Sequence, residues 1–140
     1  MKFWDSSGLV PLFVDEASTG AMSEQVEADP SIVIWWGTPV ECVSALARRA
    51  RLGATEAEIA QSVRRLEDLM NGCVEIQPGD RLRSLAERLV RVHDLRAADG
   101  FQLAAAFVAA DERPETLELV TLDERLATAA ALEGFRVLGG

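Results

Sequence analysis

The run Ser31-Ile32-Val33-Ile34-Trp35-Trp36, bounded by Pro30 and Gly37, constrains the fold of this chain more than any other segment. It is almost unbroken in its apolarity and rich in β-branched and aromatic side chains, as expected of a strand buried on both faces. Such a strand needs helices above and below it, and the rest of the chain supplies them. KFWD is a short apolar strand ending at Asp5. SSGLVPLFV reads as a helix starting at Ser6 or Ser7, and a second helix runs through TGAMSEQVEA. Thr38-Pro39-Val40-Glu41 opens a helix to Gly53, with Thr38 as N-cap, Pro39 at N1 and Glu41 at N3. Thr55 to Asn71 repeats the device, with Thr55 and Glu58 in capping-box spacing and Gly72 past the end. CVEI (73–76) is a third strand. PGDRLRSLAERLVRVHD is a helix with apolar positions Leu82, Leu85, Ala86, Leu89 and Val92. RAADGFQLAAAFVAA is apolar nearly all round and therefore buried. DERPET is a surface loop, LELVTL a fourth strand, DERLATAAALEG a helix ending at Gly134, and FRVL a short last strand. Strands separated by helices imply right-handed crossovers and a parallel sheet. The expectation is a single α/β domain over 1–140, three layers deep, with about five strands.

Composition narrows the function. The chain has 140 residues, 49% of them hydrophobic and 26% charged, the balance of an ordinary globular domain. No run reaches the roughly 20 apolar residues of a membrane span. The N-terminus, with an Asp inside its apolar stretch, does not read as a signal peptide. Cys42 and Cys73 are far apart and His93 is the one histidine, which excludes a Cys/His zinc site and a disulfide framework. A cytoplasmic protein is expected. A net charge of −9 argues against holding nucleic acid on a broad basic surface, though not against meeting a phosphate through bound cations. Lys2 is the sole lysine, while Arg48, Arg49, Arg51, Arg64 and Arg65 lie close together in sequence and read first as a solvated helix face.

In an open α/β sheet the site lies beyond the carboxyl ends of the strands, where strand order reverses. The residues just past those ends are Asp5 and Ser6, then Glu41, then Thr121 and Asp123, with Asp99 near the start of the buried helix. Crowded carboxylates cannot all stay ionised without a counter-charge. Mg²⁺ or Mn²⁺, one or two ions, suits an all-oxygen site, and two ions roughly 3.5–4 Å apart would activate water against a phosphodiester. Thr121 and Ser6 are the hydroxyls placed to support the acids. Each acid also has a plain structural role available: Glu41 closing a capping box with Thr38, Asp99 favoured by a helix dipole, Asp123 capping its helix. Asp5, ending a buried strand, needs a partner in any case. Trp35 and Trp36 point to opposite faces of their strand, so at most one could stack on a base; core packing is the expectation for both and for Trp4, and His93 is expected at the surface or at a helix cap. A phosphoryl-accepting domain is disfavoured: Asp5 is followed by Ser-Ser, and Lys2 is the only lysine.

These residues resemble the PIN-domain nucleases, and among them the toxins of VapBC-type toxin–antitoxin pairs. FWDSSGLVPLFVDE resembles that family's first strand with its Asp. TPVECVSALARR is similar to the segment carrying its Glu, LRAADGFQLAAA to the block with its third acid, and LVTLDERLATAAALEGFRVL to the closing block, with Thr two positions before the fourth. The likeness covers nearly the whole chain, and Gly100 departs from it where Ala is commoner. The resemblance implies a PIN-like fold and metal-ligand roles for Asp5, Glu41, Asp99 and Asp123. It implies a Mg²⁺- or Mn²⁺-dependent endoribonuclease, a homodimer, and a VapB-like antitoxin that blocks the pocket. The alternative is a catalytically silent PIN-like module that binds a protein partner. Arg48, two turns along α-helix from Glu41, is a candidate contact for a flanking RNA phosphate. Leu9, Val10, Leu12 and Phe13 exceed what one helix face buries, so part of that set is expected to line the partner's groove.

Overall fold

The computed structural model describes residues 1–139. Five strands, β1 (Lys2–Trp4), β2 (Ile32–Trp35), β3 (Val74–Ile76), β4 (Glu118–Val120) and β5 (Arg136–Leu138), form one sheet in the order β3-β2-β1-β4-β5. Every pairing is parallel, with Phe3 opposite Val33 on one side and Leu119 on the other. The helices are α1 (Ser6–Phe13), α2 (Thr19–Ala28), α3 (Thr38–Arg51), α4 (Glu56–Asn71), α5 (Asp80–Val92), α6 (Ala97–Ala109) and α7 (Glu124–Leu132), with a short 3₁₀ turn at Pro114–Thr116. This is the three-layer α/β/α arrangement with a central parallel sheet that the sequence predicts.

Strand alternation divides the interior in two. Phe3, Val33, Trp35 and Leu119 point to one face and pack with apolar residues of α5, α6 and α7. Trp4, Ile32, Ile34 and Val120 point to the other and pack with α1 to α4. Chain order turns at β1: β2 and β3 extend the sheet one way, and β4 and β5 the other. The crevice past the carboxyl ends of β1 and β4 is therefore the switch point where α/β sheets place their ligands.

Several local expectations change. In helix α1, wedged among α2, α3 and α4, Leu9 and Phe13 are fully buried, while Val10 and Leu12 pack on the same core and are only partly buried. Val92 is exposed at the end of α5. Trp36 is 54% exposed, because β2 ends at Trp35 and the next side chain projects past the sheet. His93 takes the capping place expected of it, as C-cap of α5, rather than a surface one: its Nε2 lies 2.7 Å from Glu133 Oε2, with only 10% of the side chain exposed. Gly100 has a packing reason, since a Cβ there would stand 2.5 Å from Val90 Cγ1 where α6 crosses α5. Gly139 has both a left-handed backbone (φ 115°) and a Cβ position 2.7 Å from the Thr121 carbonyl oxygen, so only glycine fits.

Candidate active site

Asp5 is placed by β1 and is the N-cap of α1, its carboxylate accepting from the Ser7 N–H. It is 4% exposed, and its two oxygens are used unequally. Oδ2 accepts from the hydroxyls of Ser7 and Thr121, the latter at 2.8 Å. Among the described residues Oδ1 receives only a 3.4 Å contact from Ser6. Thr121, buried just past β4, also accepts from the Asp123 N–H at 3.1 Å, and Ser7 Oγ accepts from the Leu122 N–H at 2.9 Å. Two hydroxyls thus lock the end of β1 to the turn between β4 and α7.

Glu41 enters from α3. Its expected capping role is not what the structure shows: the N-cap is Gly37, Thr38 is already the first helical residue, and Glu41 falls one place beyond N3. Its carboxylate instead accepts from Ser6 Oγ at 2.8 Å and from Gln102 Nε2 at 3.2–3.3 Å. Gln102 also donates to Thr38 Oγ1 at 3.0 Å. Asp99 stands in the first turn of α6, with Oδ2 accepting from the Arg96 N–H at 3.3 Å, and Asp123 caps α7 through the Leu126 N–H at 2.9 Å. The cap roles of Asp99 and Asp123 are therefore real, and each leaves its second carboxylate oxygen without a hydrogen-bond partner among the described residues.

The acids feel one another. Burial pushes the Asp5 carboxyl up from its usual range, opposed by the Ser7 and Thr121 hydrogen bonds and reinforced by Asp123. Burial also raises Glu41, against the Ser6 and Gln102 hydrogen bonds, with Asp5 and Asp99 adding to the rise. Asp99 is raised by burial first and then by Asp123 and Asp5. None of the four acids makes an ion pair with Arg, Lys or His among the described residues. Nor do any three Asp, Glu, Cys or His side chains there form a ready-made cage for an ion. Held by hydroxyls and N–H groups, like charges stay apart while facing one crevice. The donor set is all oxygen, negatively charged and short of counter-charge, so it fits a hard divalent cation.

Of the residues expected here, Asp5, Glu41, Asp99, Asp123, Thr121 and Ser6 come together. Arg48 is exposed on α3 and makes no ion pair among the described residues. Two contributors were not expected, Ser7 and Gln102. Ser7 was visible as the second serine after Asp5. Gln102 was visible as the one polar side chain inside the apolar run of α6, fully buried yet hydrogen-bonded.

No family model matches the chain. Ribonuclease VapC45 of Mycobacterium tuberculosis (strain CDC 1551 / Oshkosh) is 30% identical over 147 aligned positions, spanning 98% of this chain and 94% of that protein. Among solved structures, PAE2754 from Pyrobaculum aerophilum superposes with a TM-score of 0.70 at 21% identity, over 97% of this chain and 81% of its own. A chain of a toxin–antitoxin complex from Klebsiella pneumoniae superposes at 0.64 with 19% identity, over 91% of each. The fold follows from the superpositions, and the lineage from the full-length sequence match: the chain belongs to the VapC branch of the PIN-domain nuclease family.

Proposed function

We propose that this protein is a divalent-metal-dependent endoribonuclease, the toxin of a toxin–antitoxin pair. The observation that carries the reading is the set Asp5, Glu41, Asp99 and Asp123, without a cationic partner among the described residues, in which burial and neighbouring carboxylates push Asp5, Glu41 and Asp99 up from their usual range. The name of the Mycobacterium relative supports RNA as the substrate, and the Klebsiella complex supports a VapB-like antitoxin as partner. A bound Mg²⁺ or Mn²⁺, as one ion or two, supplies the missing counter-charge, an activated water and stabilisation of the leaving oxygen.

The chain's own residues set the geometry. Asp5 is the rigid centre, fixed through Oδ2 by Ser7 and Thr121 so that Oδ1 faces the crevice side shared with Ser6 and Glu41. Gln102 orients Glu41 by donating to its carboxylate, and Asp99 and Asp123 add charge from the starts of α6 and α7. Arg48 serves, on this reading, as an outer contact for a flanking phosphate. A homodimer in the cytoplasm is the expected working form; no helix among the described residues is long and apolar enough to cross a membrane.

The experiment is RNA cleavage with Mg²⁺ or Mn²⁺ against EDTA. Asp99→Asn keeps the shape of its cap and removes the charge, and it should lower the rate by at least about 100-fold, given the several kcal/mol such charge stabilisation supplies. Cleavage that survives both EDTA and this substitution contradicts the reading. Arg48→Glu should raise KM; unchanged kinetics would remove Arg48 from the site.

A further inference from the structure

An open groove of about 550 Å³ lies past the carboxyl ends of β2 and β3, between the starts of α5 and α6, lined by Trp35, Trp36, Pro78, Leu82, Arg83 and Phe101 among others. Its walls continue the elements that carry the acids. Phe101 stands two residues after Asp99 near the start of α6, about 3 Å of helix rise apart. Trp36 comes directly before Gly37, the N-cap of the helix bearing Glu41.

The groove is built from flat rings. Trp35 and Phe101 stack with their rings nearly parallel, centroids 5.4 Å apart and planes 5° apart in angle. Trp36 stands edge-on to Trp35, at 6.3 Å and 69°. A Cβ at position 37 would lie 2.6 Å from Trp35 Nε1, so Gly37 is what lets that indole sit flush with the turn. Trp36 is the large aromatic left exposed, although Trp4 and Trp35 are buried. At the rim Arg83 is paired, among the described residues, with Asp80 alone at 3.0 Å, both side chains well exposed, so water screens the pair and the guanidinium can turn to another anion.

We propose that Trp36 and the Trp35–Phe101 stack form a pocket for one unpaired nucleobase of an RNA strand whose phosphate backbone crosses the acidic crevice. This rests on the ribonuclease reading above and adds the place on this chain where one base of the substrate is held. A planar π surface beside a mobile guanidinium suits a base and its phosphate, and base–aromatic stacking tolerates any base. A base inside a duplex has both faces covered and cannot enter. Trp36 is thus a substrate-positioning residue.

The test uses the full chain in Mg²⁺ buffer, with a short single-stranded RNA and the same RNA annealed to its complement. Three tryptophans fluoresce, and the part of the signal that Trp36→Phe removes reports on the exposed indole. The single strand should quench it and the duplex should not. Trp36→Ala should weaken single-strand binding by about ten-fold or more and raise KM far more than it lowers kcat, while Trp36→Phe keeps most of the affinity. Unchanged RNA binding in Trp36→Ala overturns the proposal, whatever that variant does to a protein partner, as does equal binding of the duplex. Trp36-dependent binding of single strands without any cleavage would leave the pocket standing and remove the nuclease reading. Cleavage with no dependence on Trp36 would do the reverse.

Discussion

At the scale of single residues, the hydroxyls decide how well the acids are held. Thr121 gives its proton to Asp5 and takes one from the Asp123 N–H, so it sits between two of the acids. Thr121→Val keeps the shape and removes both bonds. It should reduce kcat/KM and metal affinity by about 10–100-fold, the usual cost of losing a supporting partner, and lower the unfolding midpoint only modestly. Ser7→Ala should behave alike, measured by the same kinetics. These residues also show what a sequence can reveal of a site. Asp5, Asp123 and Thr121 were legible because apolar runs mark where β1 and β4 end. The partner of Glu41 was not, since Gln102 stands 61 positions away and meets it only once α3 and α6 converge. Thr38 was misread for a smaller reason: Gly37 takes the cap, and a shift of one place carries Glu41 off the capping position and towards Ser6.

Between elements, the tightest approach is α5 against α6. Alanine is the better helix former by about 1 kcal/mol, yet Gly100→Ala would place a Cβ against the branched Val90 side chain, 2.5 Å away. The variant should be destabilised by about 1–3 kcal/mol in urea unfolding, and Val90→Ala should rescue it, giving a non-additive double mutant. The local departure from the family pattern at Gly100 is thus a packing device. A second tie joins the end of α5 to the end of α7, where Glu133 accepts from Arg88 Nη2 at 2.8 Å and meets His93. The Arg88 hydrogen bond, helped by His93, holds the Glu133 carboxyl below its usual 4.5. A depressed carboxyl stabilises the fold above its unfolded pKa and loses that contribution as pH falls through the folded one. The difference in melting temperature between the native chain and Glu133→Gln should therefore be full near pH 6 and shrink below about 4.5. The helices and strands themselves were readable to within a residue or two, because their caps and apolar periods agree. The exposure of Trp36 was not, because alternation assigns a face but does not say where the sheet stops.

Over the whole molecule, a chain of net charge −9 gathers its acids where the strand order reverses, and the acids bear the strain of that choice. Asp5, Glu41 and Asp99 are all raised, so their neutral forms favour the fold, and that contribution is lost as pH climbs through the raised values. At neutral pH the ion-free protein carries this repulsion, and a divalent cation relieves it. Mg²⁺ or Mn²⁺ at about 100 times its Kd should add about 2.7 kcal/mol and raise the melting temperature by several degrees. Without metal, Asp5→Asn should melt higher than the native chain, and it should gain little when metal is added. The most direct test is calorimetric titration of Mn²⁺ into the native chain and into Asp5→Asn near pH 7. The account predicts saturable binding to the native chain at one or two ions, weakened at least about ten-fold in the variant. Equal Mn²⁺ affinity in the two proteins, or no binding by a native chain that still cuts RNA, would contradict it.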